Sequence, residues 1–200
     1  MTAMNSKTKE KKATPRRPVE TGVPDPFPHM HPVLKKNYGD WAWHDRPRPG
    51  VLHHVAHGGD EVWTVRAGTQ RQLDVHTIRR LCDIADNFAE GHVRFTSRSN
   101  IEFMLGTEDK VAPLVETLTE AGFPVGGTGN SVSMIGHTQG WLHCDIPGTD
   151  ASGVVKALMD FLHGEFTHEE MPNRVRITTS CCQINCGGQG DIAINVQYTK

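Results

Sequence analysis

An α+β fold is predicted for this 200-residue chain by three features. The hydrophobic periods between Glu61 and Val125 run strand–helix–strand–strand–helix–strand, a glycine-rich joint follows at 126–130, and a second, shorter α+β series occupies the rest. Val62-Trp63-Thr64-Val65 reads as the first strand. Asp74 can cap a helix in which Ile78, Leu81, Cys82 and Ala85 recur at i, i+3, i+4 and i+7. Val93 and Phe95 alternate with His92, Arg94 and Thr96 as in a half-buried strand, and the Ser97–Asn100 turn leads to Ile101, Phe103 and Leu105 on the next. Thr107 can cap a second helix with Val111, Leu114, Val115 and Leu118 on one stripe, and Gly122-Phe123-Pro124-Val125 returns as a short edge segment. This order is the split βαβ arrangement of ferredoxin-like folds.

The flanks define the expected domain limits of 1–50, 51–126 and 127–200. Before residue 50 stand Pro15, Pro18, Pro24, Pro26, Pro28, Pro32, Pro47 and Pro49, which oppose regular structure and suit an extended arm. Trp41 and Trp43 should lay that arm on an apolar surface. Beyond the joint come Trp141-Leu142-His143-Cys144, then a helix starting after Thr149 or Asp150 with Val155, Leu158, Met159 and Leu162 on one face. Arg174 to Thr178 reads as a strand whose arginines, Arg174 and Arg176, share a face, and Ile192, Ile194 and Val196 alternate on a last strand. Lys200 follows that strand directly, an odd place for a domain to finish.

Composition narrows the function classes. Hydrophobic residues at 36% and charged residues at 22% suit an ordinary soluble globular protein, and a net charge of −2 gives no case for nucleic acid or an acidic membrane as partner. The basic start (Lys7, Lys9, Lys11, Lys12, Arg16, Arg17) lacks the apolar core of a secretory signal and reads as a solvated tail. No apolar stretch is long enough to cross a bilayer. Five cysteines, an odd and clustered set, oppose a secreted disulfide framework and favour a reducing cytoplasm.

Four of those cysteines carry the chemistry: Cys144, and Cys181, Cys182 and Cys186 within Thr-Thr-Ser-Cys-Cys-Gln-Ile-Asn-Cys-Gly-Gly. Adjacent side chains on a strand point to opposite faces, so Cys181 and Cys182 need a turn to converge. Gly187, Gly188 and Gly190 supply the bending residues at once. Four thiolates are the usual demand of a [4Fe–4S] centre. A structural zinc site is the rival, but the Cys-x-x-Cys knuckle of zinc modules is missing. Cys82, on a helical stripe, reads as a buried core thiol.

Two arginine pairs, Arg94 with Arg98 and Arg174 with Arg176, suit an anion or carboxylate contact, since guanidinium groups give paired planar hydrogen bonds. His53, His54 and His57 lack a supporting carboxylate at helical spacing and read as surface histidines. His137 and His143, near Cys144, are candidate proton donors or cofactor contacts.

Three segments then resemble one family. His137–Asp145, Met171–Asp191 and Arg94–Phe103 are similar to the beta subunits of dissimilatory sulfite reductases, within the siroheme nitrite/sulfite reductase family, and the likeness runs from about Phe27 to the end. The Cys…Cys-Cys-x-x-x-Cys pattern is specific to that subunit type. The resemblance implies a siroheme coupled to a [4Fe–4S] cluster, with Cys144, Cys181, Cys182 and Cys186 as cluster ligands and Cys186 also bridging to the siroheme iron. It implies that residues 127–200 begin a siroheme and [4Fe–4S]-binding domain, and that sulfite is reduced by six electrons towards sulfide, or the reverse. It further implies an alpha subunit in an alpha2beta2 heterotetramer, a small sulfur-carrier protein and an electron donor as partners. The family's beta subunits continue into a second half and a ferredoxin domain with a second [4Fe–4S] cluster, so this chain resembles an N-terminal fragment. Where the family's substrate ring has two lysines, this chain has Arg174 and Arg176. The alpha partner is therefore expected to supply the substrate ring, leaving Arg94, Arg98, Arg174 and Arg176 for siroheme carboxylates. A siroheme nitrite reductase subunit and a non-catalytic iron–sulfur electron carrier are the alternatives.

Overall fold

Two sheets organise the chain, and the hydrophobic periods of the sequence map onto them. The computed structural model describes residues 26–138, 140–188 and 190–196; the basic tail and the last four residues lie outside these. A single tight helical turn (Phe27–His29) and helix α1 (Pro32–Lys36) lead into strands β1 (Trp41–Arg48), β2 (Val51–Ala56) and β3 (Glu61–Gly68). Helix α2 (Val75–Phe88), strands β4 (Val93–Phe95) and β5 (Asn100–Leu105) and helix α3 (Val111–Glu120) follow. The five strands form an antiparallel sheet in the order β1-β2-β3-β5-β4.

Strand alternation gives this sheet two distinct faces. Trp63, Val65 and Ala67 on β3 and Ile101, Phe103 and Leu105 on β5 pack with Leu81, Ile84 and Ala85 of α2 and Val111, Leu114 and Leu118 of α3. Asp74 caps α2 as expected, its Oδ1 accepting from Thr77 N at 2.6 Å. The buried stripe of α2 is displaced from the one expected, because Leu81, Ile84, Ala85 and Phe88 themselves stand at helical spacing. Ile78 is left half exposed and Cys82 exposed, so Cys82 is not a core thiol. Phe95 is also exposed, since β4 is an edge strand that pairs only with β5. Thr107 makes no cap; a short helical turn at Glu108–Lys110 starts α3 instead. Residues 124–126 close onto the end of β3 through Gly68 N to Pro124 O (2.8 Å) and Gly126 N to Arg66 O (3.1 Å).

The stretch before residue 50 is more regular than its prolines predict. Pro32 opens α1, where the missing N–H costs nothing. Pro47 sits in the outermost strand, at a register irregularity between Asp45 and Arg48, where no ladder bond is needed. Trp41 and Trp43 lie edge-on to His54 and His53, and Trp43 stays half exposed. The β1–β2 turn needs Gly50, at φ 77°, because a Cβ there would meet Val125 Cγ1 at 2.5 Å and Gly126 N at 2.6 Å.

The glycine joint is packed. Gly127 N donates to Phe166 O at 2.8 Å, and Gly50 N to Thr128 Oγ1 at 2.8 Å. Strand β6 (Val132–His137), not foreseen in the sequence, follows at once. Helices α4 (Gly140–His143), α5 (Ala151–Phe161) and α6 (His163–Thr167) lead to β7 (Val175–Ser180) and β8 (Ile192–Asn195). β6, β7 and β8 form a parallel sheet in that order, and the helices make the crossover that a parallel pair requires. Asp150 caps α5, accepting from Ser152 N and Gly153 N at 3.0 and 3.1 Å.

On the polar face of the first sheet, fully buried Glu102 is held by two guanidinium groups. Arg66 Nε donates to its Oε1 and Arg94 Nε to its Oε2, each at 2.6 Å, and Arg66 Nη1 continues to Gly127 O at 3.0 Å. Burial pushes the Glu102 carboxyl up, but Arg66 and Arg94 outweigh it and hold the group below the usual carboxylate range. Glu102→Gln should therefore cost about 3 kcal/mol at pH 7, because it leaves the largely buried Arg66 guanidinium without its counter-charge, whereas the exposed Arg94 can turn to solvent. A group with a depressed folded pKa loses its contribution as pH falls, so the gap from wild type should narrow once pH drops below about 4. Denaturant midpoints of the two proteins at pH 7 and below pH 4 check both points; an equal gap at both would contradict the account. Leu114→Ala, at a fully buried core position, should cost about 3 kcal/mol with no pH dependence in the same measurement.

Candidate metal centre

Parallel pairing sets His137 opposite Thr179, so the segments after β6 and β7 leave the sheet side by side. The first carries Thr138, Gly140 and Cys144; the second carries Cys181, Cys182 and Cys186. Thr138 N donates to Thr179 O at 3.1 Å and Gly148 N to Cys181 O at 2.7 Å. Cys181 N donates to Thr138 Oγ1 at 2.9 Å in a buried bond. A Cβ added to Gly140 would lie 2.6 Å from Cys181 Sγ and 3.3 Å from Cys144 Cβ. Cys181 Sγ and Cys144 Cβ thus both stand beside Gly140, a position in the first loop that carries no side chain.

The second loop bends where the sequence demands it. β7 ends at Ser180, so Cys181 and Cys182 escape strand alternation. Ser180 Oγ bonds Asn185 Oδ1, Asn185 takes φ 54° and Gly188 φ 73°, and Gly190 N returns to Thr178 Oγ1 at 3.0 Å. Cys181 and Cys182 are buried beside Ala151, whereas Cys144 and Cys186 are exposed, and all four are free thiols. Cys182 lines an open cavity of about 470 Å³ with Asp145, Ile146, Pro147, Gln183 and Ile184.

Among the described residues, no three His, Cys, Asp or Glu side chains converge on a point that would hold one metal ion. A cubane makes a different demand. Each thiolate meets its own iron, so four sulfurs stand around the cluster rather than at one point. Two thiol-bearing loops, hydrogen-bonded through Thr138, Cys181 and Gly148 and leaving space at Gly140, fit that donor set, with soft sulfur ligands suited to an iron–sulfur group.

The other candidates are dispersed. His137 Nδ1 donates to Thr138 O at 2.9 Å and lies 3.4 Å from Ser152 Oγ. His143 ends α4 and is exposed. His57 is exposed as expected, but His53 and His54 are partly buried: His53 stacks on Trp63 at 4.0 Å between Asp45 and Glu61, and His54 stacks on His44. Burial, then the neighbouring His44, lowers the His54 pKa.

Arg94 is engaged by Glu102. Arg174 Nε donates to Gly129 O at 3.3 Å. Arg176 makes a two-pronged pair with Asp191, Nε at 3.0 Å and Nη2 at 2.7 Å, and these bonds hold the Asp191 carboxyl at about 2. Arg98 differs: its Nε is buried with no hydrogen-bond partner. Burial, then the charges of Arg174, Arg66 and Arg176, lowers its pKa. A buried donor among cations is an anion-accepting arrangement. Sequence reasoning missed Arg66, Arg71, Thr138, Gly140 and Asp191. Arg71 Nη1 donates to His137 O at 2.9 Å and its Nε to Ser99 Oγ at 3.0 Å, joining the two sheets. Arg66 was open to alternation, since it follows Thr64 on the polar face of β3.

Residues 54–121 match the nitrite/sulfite reductase ferredoxin-like half domain. The protein named "Sulfite reductase, dissimilatory-type subunit beta" in Archaeoglobus fulgidus is 47% identical over 174 residues, covering 82% of this chain and 48% of that protein. Its namesake in Nitratidesulfovibrio vulgaris is 45% identical over 185 residues, covering 86% and 49%. The chain therefore spans about half the length of these two curated relatives. The namesake in Megalodesulfovibrio gigas is 46% identical, covering 86% of this chain and 71% of that protein. The crystal structure of dissimilatory sulfite reductase I superposes with a TM-score of 0.71 at 15% identity, over 80% of this chain and 42% of that one. Mycobacterium tuberculosis NirA does so at 0.60 and 15%, over 72% and 30%. These structural likenesses establish the ferredoxin-like α+β fold. With identity above 45% to the relative that it covers at 71%, the chain belongs to the family of dissimilatory-type sulfite reductase beta subunits.

Proposed function

We propose that this chain acts as the beta subunit of a siroheme sulfite reductase, an oxidoreductase that carries sulfite towards sulfide by six electrons, or back, together with an alpha subunit. The observation that carries the reading is the meeting of the two cysteine loops at Gly140, in a chain of this family. Cys144, Cys181, Cys182 and Cys186 would hold the [4Fe–4S] cluster, with Cys186 towards the siroheme iron. When bound, that pair of groups would supply stepwise electrons and a Lewis-acidic iron for the oxyanion.

This chain's own residues orient and neutralise. The free Nε of Arg98 would take a carboxylate of the tetrapyrrole, with Arg94, Arg174 and Arg176 adding positive potential around it. His137, with Nδ1–H committed to Thr138 O, can accept or relay a proton only at Nε2. His143 would serve as an outer proton contact. The alpha partner completes the substrate ring, because arginine at 174 and 176 is a poor proton-delivering replacement for lysine. In this division of labour the five-stranded sheet, with β1 (Trp41–Arg48) as its outer strand, is a scaffold, and 127–200 would be the cofactor-bearing part. A second [4Fe–4S] cluster, a small sulfur-carrier protein, an electron donor and the alpha2beta2 heterotetramer belong to the full assembly. Among the described residues no helix is long and apolar enough to cross a membrane, and reduced thiol ligands suit the cytoplasm.

The complex purified without oxygen should show the siroheme absorbance, and Cys186→Ser in this chain should abolish most of it, while Cys82→Ser leaves it intact. Full haem content in the Cys186→Ser complex, or a wild-type complex with acid-labile sulfide but no tetrapyrrole band, would contradict the proposal.

A further inference from the structure

Two residues stand between the cysteine loops without being metal donors. We propose that Thr138 and Gly140 are positioning residues for the cluster: Thr138 anchors the Cys181 backbone, and Gly140 leaves the space into which the Cys181 thiol projects. Together they set how far Cys181 stands from Cys144. The inference rests on the reading of the four cysteines as cluster ligands.

Thr138 follows β6 directly and is buried. Its N–H, bonded to Thr179 O at 3.1 Å, extends the parallel ladder by one residue. Its Oγ1 accepts the Cys181 N–H at 2.9 Å, across 43 positions of sequence. Its methyl packs beside the residue after Cys186, since a Cβ on Gly187 would come within 3.1 Å of Thr138 Cγ2. One side chain therefore touches the start and the end of the cysteine turn. Cys181 O is bonded to Gly148 N at 2.7 Å, so both backbone polar groups of Cys181 are held by the other loop. Only the thiol's own rotation remains.

That rotation is what Gly140 governs. Gly140 lies in α4 without a positive φ, so its backbone does not require glycine, and alanine is the better helix former. The requirement is space, because a methyl group would sit 2.6 Å from Cys181 Sγ. An unligated thiol could turn to another rotamer to make room. A sulfur bound to iron cannot turn, so the same methyl would push the ligand off the cluster. Thr138→Val keeps the β-branched shape and removes only the acceptor, leaving the buried Cys181 N–H without a partner. Thr138→Ser keeps the acceptor.

The test uses the complete complex, purified without oxygen, with T138V, T138S or G140A in this chain. Iron and acid-labile sulfide are counted, iron loss to a ferrous chelator is timed, and the electron paramagnetic resonance of the reduced cluster is recorded. Groups that orient metal ligands typically contribute 10- to 100-fold in metal retention, so T138V and G140A should lose iron about tenfold faster or more, with a shifted resonance and unchanged circular dichroism. T138S should stay close to wild type. Wild-type rates and resonance in both T138V and G140A would overturn this inference alone, provided the wild type carries its full sulfide. Iron loss from T138S as fast as from T138V would overturn the role of the hydroxyl. If T138V fails to assemble, G140A decides by the same criteria. A wild-type complex without acid-labile sulfide would overturn this inference together with the functional reading beneath it.

Discussion

The parallel pairing of β6 with β7 is the constraint from which the rest of the site follows. An antiparallel partner would send the two loops to opposite ends of the sheet, with Cys144 far from Cys181. In the register that pairs His137 with Thr179, both loops start at the same edge, and ligands of open parallel sheets collect at that carboxyl end. Helices α5 and α6 make this pairing possible by carrying the chain back across the sheet. Over thirty positions of sequence are thereby reduced to the space around one glycine.

A second layer of charge ties this edge to the antiparallel sheet. Glu102 fixes Arg66 and Arg94, Arg66 reaches Gly127 O, and Arg71 reaches His137 O. Asn100 adds a buried bond from its Nδ2 to Ser133 O at 3.1 Å. The ferredoxin-like half thus holds the start of the cysteine-bearing half through polar contacts whose donors are mostly arginine. Arginine suits the task because its planar fork bridges several acceptors at once. Where most of these guanidinium groups already have partners, the Arg98 Nε does not. The cationic surface is therefore part structural and part available.

What the sequence made legible follows from how local each cause is. Helix α2 and its Asp74 cap, helix α3, and the β3, β5 and β7 runs are written in short-range periodicity and capping chemistry, and they stand near their expected places. The cysteine pattern stood out because its residue types are rare and its turn residues adjoin it, and of its members the structure brings Cys144 and Cys181 together beside Gly140. Strand β6 was missed because Ser-Val-Ser-Met-Ile-Gly-His has a weak alternation and is flanked by glycines that read as linker. Strand β1 was missed because edge strands tolerate the prolines that argue against a strand elsewhere. Cys82 misled because two stripes fit the same helix, and only packing against the sheet chose Ile84 over Ile78. Thr138 and Gly140 carried no signal at all: their roles depend on a partner strand more than forty residues away.

The central claim is that a cluster sits where the loops after β6 and β7 meet. Diffraction from crystals of the whole complex, recorded at the iron absorption edge, tests it most directly. The account predicts a strong iron peak at the carboxyl ends of those two strands, within bonding reach of Cys144 and of the Cys181–Cys186 turn. Iron density absent from that edge, or bound to other residues of this chain, would contradict it.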